Sequence, residues 1–160
     1  MISEENRMAP TLLVCADASA EIGMGHVMRT LALAQAWRDA HGRVVFSTAA
    51  PAALAERLRS ERFDVAARNA PVRTATEWLP VAAACSPAWI VLDGYAFDAG
   101  FSHVLRGAGY RVLQVDDVLH QPAYEADILL NTCPGVEPGR YVVNPDARLL
   151  LGPRYALLRK

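Results

Sequence analysis

The chain has 160 residues, 52% of them hydrophobic, and its formal net charge is −1 at pH 7. This length corresponds to one domain of ordinary size, with enough apolar residues to bury a core without disulfides or metals. The balanced charge excludes an extended basic face and a disordered tail, so we expect no nucleic-acid partner.

Residues 1–10 form a polar leader of mixed charge, without the apolar segment of a signal peptide. No apolar run in the sequence reaches the ~18 residues of a membrane span. We therefore expect a cytoplasmic protein with no membrane partner, in which residues 11–160 form a single domain.

The first predicted element is a buried strand over Thr11–Ala16, a short apolar run bounded by polar turn residues. A turn that contains Gly23 and Gly25 follows, and then an amphipathic helix that Gly42 would end. The helix has apolar residues at the i, i+4, i+7 spacing of one face, namely Val27, Leu31, Ala34 and Trp37. Strand, turn and helix make the first half of a βαβ unit.

His26 stands where this glycine turn meets the helix. The first amides of a helix lack intrahelical partners and its dipole leaves partial positive charge there, so such an end attracts anions, including phosphate. The same positive charge disfavours imidazolium, so we expect His26 to be neutral at pH 7, as a general base requires. Arg29 and Thr30 would share its face of the helix. Gly23 and Gly25 lack a Cβ, which lets a ligand approach the backbone and lets the turn adopt positive φ.

The spacing of this motif also fits a second interpretation, in which the glycines only permit a tight turn and His26 only caps the helix. Met28 stands where the third glycine of a dinucleotide-binding fingerprint would be. The sequence has no Gly-Lys-Ser/Thr, which excludes a P-loop. From the residues alone, both interpretations stay open.

Apolar strands and helical segments continue to alternate along the chain. Strands are predicted at Arg43–Thr48, Asp64–Ala67, Trp89–Asp93, Tyr110–Val115, Ile128–Leu130 and Leu149–Leu151, with helices over 52–63, 74–85 and 97–107. Thr74 and Glu77 have the spacing of a capping box, although Pro80 interrupts the helical pattern. The proline- and glycine-rich stretch Cys133–Pro145 is expected to be a loop. The alternation predicts an α/β fold with a Rossmann-like, doubly wound, mainly parallel sheet and right-handed crossovers.

Acidic residues follow the predicted strands at the edge where α/β folds bind ligands, namely Asp17, Asp93, Asp116 and Asp117. Asp is also an ordinary helix cap and turn residue, so each of them alone has that simpler interpretation. His41, His103 and His120 have no such context and are expected to be solvated or to lie at helix ends.

No metal site is predicted. The three cysteines, Cys15, Cys85 and Cys133, are far apart and show neither a CxxC pattern nor nearby histidines at ligand spacing. Asp116 and Asp117 are adjacent strand residues that point to opposite faces, so they cannot readily chelate one ion. We likewise expect no cofactor.

Residues 16–37, ADASAEIGMGHVMRTLALAQAW, resemble the opening of the nucleotide-sugar hydrolases of pseudaminic acid biosynthesis, the PseG/SpsG family. This family is related to the MurG-type glycosyltransferases. Further stretches that resemble the family's N-terminal domain are VLDGY at 91–95, VDD at 115–117, ADILLN at 126–131 and GPRYALLR at 152–159. Members have two Rossmann-like domains that face each other across a cleft, the GT-B arrangement, and the second domain holds most of the nucleotide. The resemblance implies that this chain is the N-terminal half, without the nucleotide-binding C-terminal domain.

The resemblance implies hydrolysis of a UDP-linked acetamido sugar at its anomeric carbon, which releases UDP and the free sugar. His26 would deprotonate the attacking water, and Asp17 would be the second catalytic residue. The substrate would contact Gly23, Gly25, Arg29, Tyr95, Asp117 and Tyr155, while Tyr155 and Arg159 could instead belong to the crossing into the second domain.

Two other functions remain open at this point. A GT-B glycosyltransferase would use the same base to deprotonate an acceptor hydroxyl, and a sugar-binding or interaction module would catalyse nothing. An isolated half would also expose its cleft face, and a homodimer through that face is one expected consequence.

Overall fold

The computed structural model describes residues 9–19, 23–71 and 73–158. In these ranges, seven parallel strands form one sheet in the order β3-β2-β1-β4-β5-β6-β7. The strands are β1 Thr11–Ala16, β2 Arg43–Thr48, β3 Asp64–Ala67, β4 Trp89–Asp93, β5 Val112–Val115, β6 Ile128–Asn131 and β7 Arg148–Leu151. The helices are α1 Gly25–Asp39, α2 Ala52–Ser60, α3 Ala75–Cys85 and α4 Ala99–Gly107, with short 3-10 turns at Pro138–Arg140 and Pro153–Tyr155.

Helices cover both faces of the sheet, which explains why the central strands are apolar throughout. All six residues of β1 are buried, and their side chains alternate between two core clusters. The first cluster joins one sheet face to α1 and α2 and includes Leu12, Val14, Val27, Leu31, Phe46 and Leu58. The second joins the other face to α3 and α4 and includes Leu13, Val45, Trp78, Ile90, Phe101 and Leu105. A fully buried side chain of this size contributes about 1.5 to 3 kcal/mol, so the two clusters hold the layers together.

The predicted doubly wound fold is confirmed, with a sheet that is parallel throughout the described residues. From β1 the chain builds outward through β2 and β3, then returns to place β4 on the other side of β1. Leu13 of β1 accordingly lies opposite both Val45 of β2 and Ile90 of β4. Ligands of such sheets bind outside the carboxyl ends of the strands, at the point where the strand order reverses. Here that point lies between β1 and β4.

Several helix ends lie where local sequence signals predict them. The Thr74 side chain accepts a hydrogen bond from the Glu77 amide at 3.3 Å, as the capping spacing predicts, and Pro80 lies inside α3 without ending it. Gly42 follows the end of α1, where any Cβ would collide with the indole of Trp37. That indole donates to the carbonyl of Pro10 at 2.8 Å, so a glycine is needed for space.

Other boundaries differ from the predicted ones. Helix α4 begins at Ala99 and not at Phe97, because the Asp98 side chain caps it by accepting from the Phe101 amide at 2.7 Å. Strand β5 begins at Val112. The expected loop over Cys133–Pro145 contains the short Pro138–Arg140 turn. The greater part of the expected leader, residues 1–8, lies outside the described residues.

The β5–β6–β7 side of the sheet has a third, smaller cluster of its own, formed by Tyr124, Leu129 and Tyr141. Nearby, Tyr155 packs against the first cluster and lies partly buried after β7. In the described ranges, no helix is long and apolar enough to cross a membrane.

Candidate functional site

A cavity of about 280 Å³ opens at the point where the strand order reverses. Asp17, which follows β1, and His26, from the first turn of α1, line it together with Asp93 and Tyr95 at the end of β4. Two segments that are distant in the sequence, one after β1 and one after β4, therefore meet because the carboxyl ends of parallel strands share one edge.

His26 is held by a buried carboxylate. Its Nδ1 lies 2.7 Å from Oδ1 of Asp93, and the side chains are 7% and 0% exposed respectively. Because a carboxylate only accepts, Nδ1 carries the donated proton. In the neutral imidazole the other nitrogen, Nε2, then has a free lone pair. The pair thus resembles the Asp–His part of a catalytic triad, in which the carboxylate sets the tautomer and orientation of the base.

Arg29, one turn further along α1, completes this arrangement. Its Nε and one terminal nitrogen each donate to Asp93 at 2.5 Å, and its other terminal nitrogen donates to Asp117 at 2.8 Å. The same guanidinium lies 3.1 Å from Nδ1 of His26, because both groups donate to the same oxygen of Asp93. Burial lowers the pKa of Arg29, but its bonds to the two carboxylates outweigh this and raise the pKa above its ordinary value. The predicted sharing of one helix face by His26 and Arg29 is confirmed.

Tyr95 forms the exposed wall of the cavity. Its side chain is 53% exposed, and its ring meets the His26 ring edge-on with centroids 5.0 Å apart. Its hydroxyl donates to Asp117 at 3.0 Å. Desolvation and this bond raise the pKa of Tyr95, so the phenol keeps its proton at neutral pH. The structure therefore brings His26, Arg29, Tyr95 and Asp117 into one connected group.

Asp17 lines the same cavity from the opposite side. One of its oxygens accepts from the Ala49 amide at 2.8 Å and from the guanidinium of Arg68. Arg68 also donates to Ser47 at 3.1 Å, which links the ends of β1, β2 and β3. The described contacts of Asp17 run to this side and not to His26, and its catalytic role stays a prediction.

The glycine turn is only partly described, since residues 20–22 lie outside the described ranges. Gly23 has φ +79°, as expected for a turn glycine, whereas Gly25 is the first residue of α1. A Cβ at either position would meet no atom within 4 Å, so there is room for a ligand against this backbone. Tyr155 lies against the core and does not line the cavity. Arg159 lies outside the described residues.

The prediction that His120 is solvated or helix-terminal was wrong. Its side chain is 14% exposed, and its Nδ1 lies 2.8 Å from Oδ1 of the fully buried Asp116. Asp116 also accepts from Tyr124, Tyr141, Asn131 and the Leu119 amide. Burial raises the pKa of Asp116, but these donors together outweigh it and hold the pKa below its ordinary value. Asp116 and Asp117 were predicted as adjacent strand residues, but β5 ends at Val115 and both follow it. They still face different partners, since Asp116 bonds to this buried group and Asp117 to Arg29.

Sequence reasoning noted Asp93 as an acid at a strand end but did not place it in the site. Its contact with His26 joins residues 67 apart in the sequence, which no local spacing reveals. The available signal was its position at the end of a strand next to the reversal of strand order, a position that favours ligand-facing side chains.

Among the described residues, no group of three or more His, Cys, Asp and Glu side chains is placed to hold a metal ion. Cys15 is enclosed in the sheet, and burial raises the pKa of its thiol. The carboxylates of the cavity are engaged by Arg29, Arg68 and His26. The absence of a metal and a cofactor stays a prediction.

The sheet order defines a Rossmann-like, doubly wound α/β domain with its candidate site at the carboxyl edge of the strands. A crystal structure of MurG from Acinetobacter baumannii shares this fold with a TM-score of 0.58. The match covers 84% of this chain and 45% of that chain, at 13% sequence identity. At this identity the likeness concerns the fold alone. No protein-family model matches the sequence, and no curated protein is significantly similar to it.

Proposed function

We propose that this chain is the N-terminal half of a GT-B enzyme that hydrolyses a UDP-linked acetamido sugar at its anomeric carbon, with His26 as the general base. The observation that carries the proposal is the buried pair of His26 and Asp93 beside a cavity of about 280 Å³. The resemblance of residues 16–37 to the PseG/SpsG hydrolases supplies the substrate class.

The proposed reaction begins with a water between His26 and the anomeric carbon. Nε2 of His26 takes a proton from this water as its oxygen bonds to the carbon, and the bond from that carbon to the UDP oxygen breaks. The products are UDP and the free sugar. Asp93 fixes Nδ1 as the protonated nitrogen and stabilises the imidazolium that forms, as the aspartate of such pairs does.

The remaining residues of the site have supporting roles in this proposal. Arg29 holds Asp93 and Asp117 in place, and Tyr95 and Asp117 form the wall against which the sugar lies. Gly23 and Gly25 allow the diphosphate to approach the start of α1. Asp17, which also lines the cavity, is proposed as the second catalytic residue, and Tyr155, which does not line it, as a substrate contact near the second domain.

General base catalysis contributes roughly 10² to 10⁴ in rate, whereas enzymes accelerate reactions by at least about 10⁶. His26 alone therefore supplies only part of the acceleration. The remainder must come from holding the sugar in line and from stabilising the departing diphosphate. In a GT-B arrangement the second domain shares that work.

Labelled water identifies the bond that breaks, and added acceptors distinguish hydrolysis from transfer. We expect the natural full-length protein, given a UDP-acetamido sugar in H₂¹⁸O, to release free sugar and UDP that carries no ¹⁸O, because water attacks carbon and not phosphorus. Adding simple sugar acceptors should leave the rate of UDP release unchanged. Release of UDP that requires an acceptor would instead establish a glycosyltransferase, and no release from any UDP-sugar would favour a binding module.

The chain by itself should bind UDP weakly. If most nucleotide contacts lie in the second domain, several charge-assisted hydrogen bonds of about 1.5 to 3 kcal/mol each are missing. At about 1.4 kcal/mol per tenfold change, a micromolar ligand then binds in the millimolar range or more weakly. Calorimetric titration of residues 1–160 with UDP tests this expectation. Saturation at low micromolar UDP would show that this half binds the nucleotide itself, and the division of roles between the domains would be wrong.

Apolar side chains remain exposed at the same edge of the sheet, with Met24 57%, Tyr95 53% and Val118 62% exposed. Such a surface favours a partner, and we propose that the second domain or a second copy of the chain covers it.

A further inference from the structure

The exposed ring of Tyr95 lies between two histidines. The His26 ring meets it edge-on at 5.0 Å between centroids, and the His120 ring meets it edge-on at 5.1 Å. Each imidazole is anchored through Nδ1 to an aspartate whose side chain is 0% exposed, Asp93 for His26 and Asp116 for His120. Tyr95 is thus held by two similar pairs, of which only the first lines the cavity.

The two histidines differ at their second nitrogen. Nε2 of His120 lies 3.0 Å from the amide nitrogen of Gln121, which also donates to the carbonyl of Phe97 at 2.7 Å. An amide nitrogen only donates, so Nε2 of His120 must accept, and Nδ1 donates to Asp116. Both nitrogens of His120 are therefore occupied in the neutral ring, which leaves no site for proton transfer to a substrate.

The residues behind His120 are joined by several hydrogen bonds. Asp116 is fixed by the hydroxyls of Tyr124 and Tyr141 at 2.9 and 2.8 Å. Gln121 ties the segment after β5 to the segment after β4 through Phe97. These bonds define the position of His120 relative to the end of β4, where Tyr95 lies. The hydroxyl of Tyr95 is held by Asp117 at 3.0 Å, but without its ring contacts the exposed ring would sample more orientations, at an entropic cost to any productive geometry.

We propose that His120 is a positioning residue, which holds Tyr95 against His26 and thereby fixes the wall of the cavity. Edge-to-face ring contacts of this kind favour one orientation of a pair of rings. The consequence for catalysis rests on the proposed function, whereas the consequence for the geometry of His26 and Tyr95 does not.

The test compares two complementary variants with one control, in protein labelled with ¹³C at histidine and tyrosine. His120→Asn retains a donor for Asp116 but lacks the ring, whereas His120→Phe retains a ring but lacks both hydrogen bonds. His103→Asn is the control, because His103 is exposed on α4 and lies outside the site. NMR shifts of the His26 and Tyr95 rings, kcat and KM for UDP-sugar hydrolysis, and the melting temperature are measured for each.

In His120→Asn, the Tyr95 signals should move because the neighbouring ring is gone. We expect the His26 signals to move as well, because Tyr95 no longer keeps its position against that ring. The melting temperature should stay near that of the wild type, while kcat/KM falls about 10- to 100-fold through misplacement of the wall. His120→Phe should restore part of kcat/KM despite a lower melting temperature. His103→Asn should change none of these quantities.

Unchanged His26 signals in His120→Asn would overturn the proposal, whatever the activity and whatever the Tyr95 signals do. Shifted signals with unchanged kcat/KM would overturn its catalytic part. If the wild type itself hydrolyses no UDP-sugar, the proposed function fails, and the NMR comparison still decides whether His120 positions Tyr95.

Discussion

Replacing His26 by asparagine in the natural full-length protein is expected to lower kcat for UDP-sugar hydrolysis by about 10²- to 10⁴-fold without unfolding the domain. The asparagine amide can still donate to Asp93 in place of Nδ1, so the buried carboxylate keeps its partner. What the variant lacks is Nε2, the only part of the ring that the proposed mechanism uses as a base. Steady-state kinetics and the melting temperature together separate these two effects.

His41→Asn is the matched control for this variant. His41 is exposed just after α1 and has φ +65°, a left-handed conformation that asparagine tolerates well. Its replacement should leave both kcat and melting temperature unchanged. Near-wild-type turnover by His26→Asn would show that His26 is not the general base. If His41→Asn lost as much kcat, the loss in His26→Asn would reflect a general disturbance of the domain.

The second large effect concerns stability and lies at Asp116. Replacing Asp116 by asparagine is expected to lower the free energy of unfolding at pH 7 by about 2 to 4 kcal/mol. Both carboxylate oxygens accept from buried donors, among them the Leu119 amide and Nδ1 of His120. In asparagine, an NH₂ group replaces one of the two oxygens. At least one buried donor that bonded to that oxygen then loses its acceptor.

This stabilisation should depend on pH. Because the folded-state pKa of Asp116 is lowered, its contribution is fully present above the unfolded pKa, about 4, and is lost as pH falls through the folded value. The difference between wild type and Asp116→Asn in urea unfolding should therefore shrink steadily below about pH 4. Asp146→Asn, a change at an exposed acid in the loop before β7, serves as control and should show no such difference. A wild-type advantage that is the same at pH 7 and at low pH would contradict the assignment.

The fold was predictable because its signals are local. The run Thr11–Ala16 is almost entirely apolar, as expected of a strand that is covered on both faces. Thr74 and Glu77 have the spacing of a capping box, which predicts the start of α3. The predicted start of α4 was wrong because the helix begins after its capping residue, Asp98. The sequence predicted a doubly wound sheet but not the order of its strands, because strand pairing depends on contacts between distant parts of the chain.

The site was predictable only in part, for the same physical reason. His26 and Arg29 share a helix turn, so their proximity follows from helical geometry. Their partners Asp93 and Asp117 lie 64 or more residues away, and burial of a carboxylate cannot be read from its position in the sequence. His120 was misjudged because its importance comes entirely from Asp116 and Tyr95, which only the folded chain brings to it.

The central position of β1 also determines when the site can exist during synthesis. A chain leaves the ribosome from its N-terminus, so β1 is available long before β4, its second neighbour in the sheet. Pairings between such distant segments form slowly, because the intervening chain must first be closed into a loop. Until Asp93 and Asp117 have emerged, His26 and Arg29 have neither of their carboxylate partners. The helix that bears the proposed base therefore leaves the ribosome well before the residues that orient that base, and the site can assemble only after Asp117 has emerged.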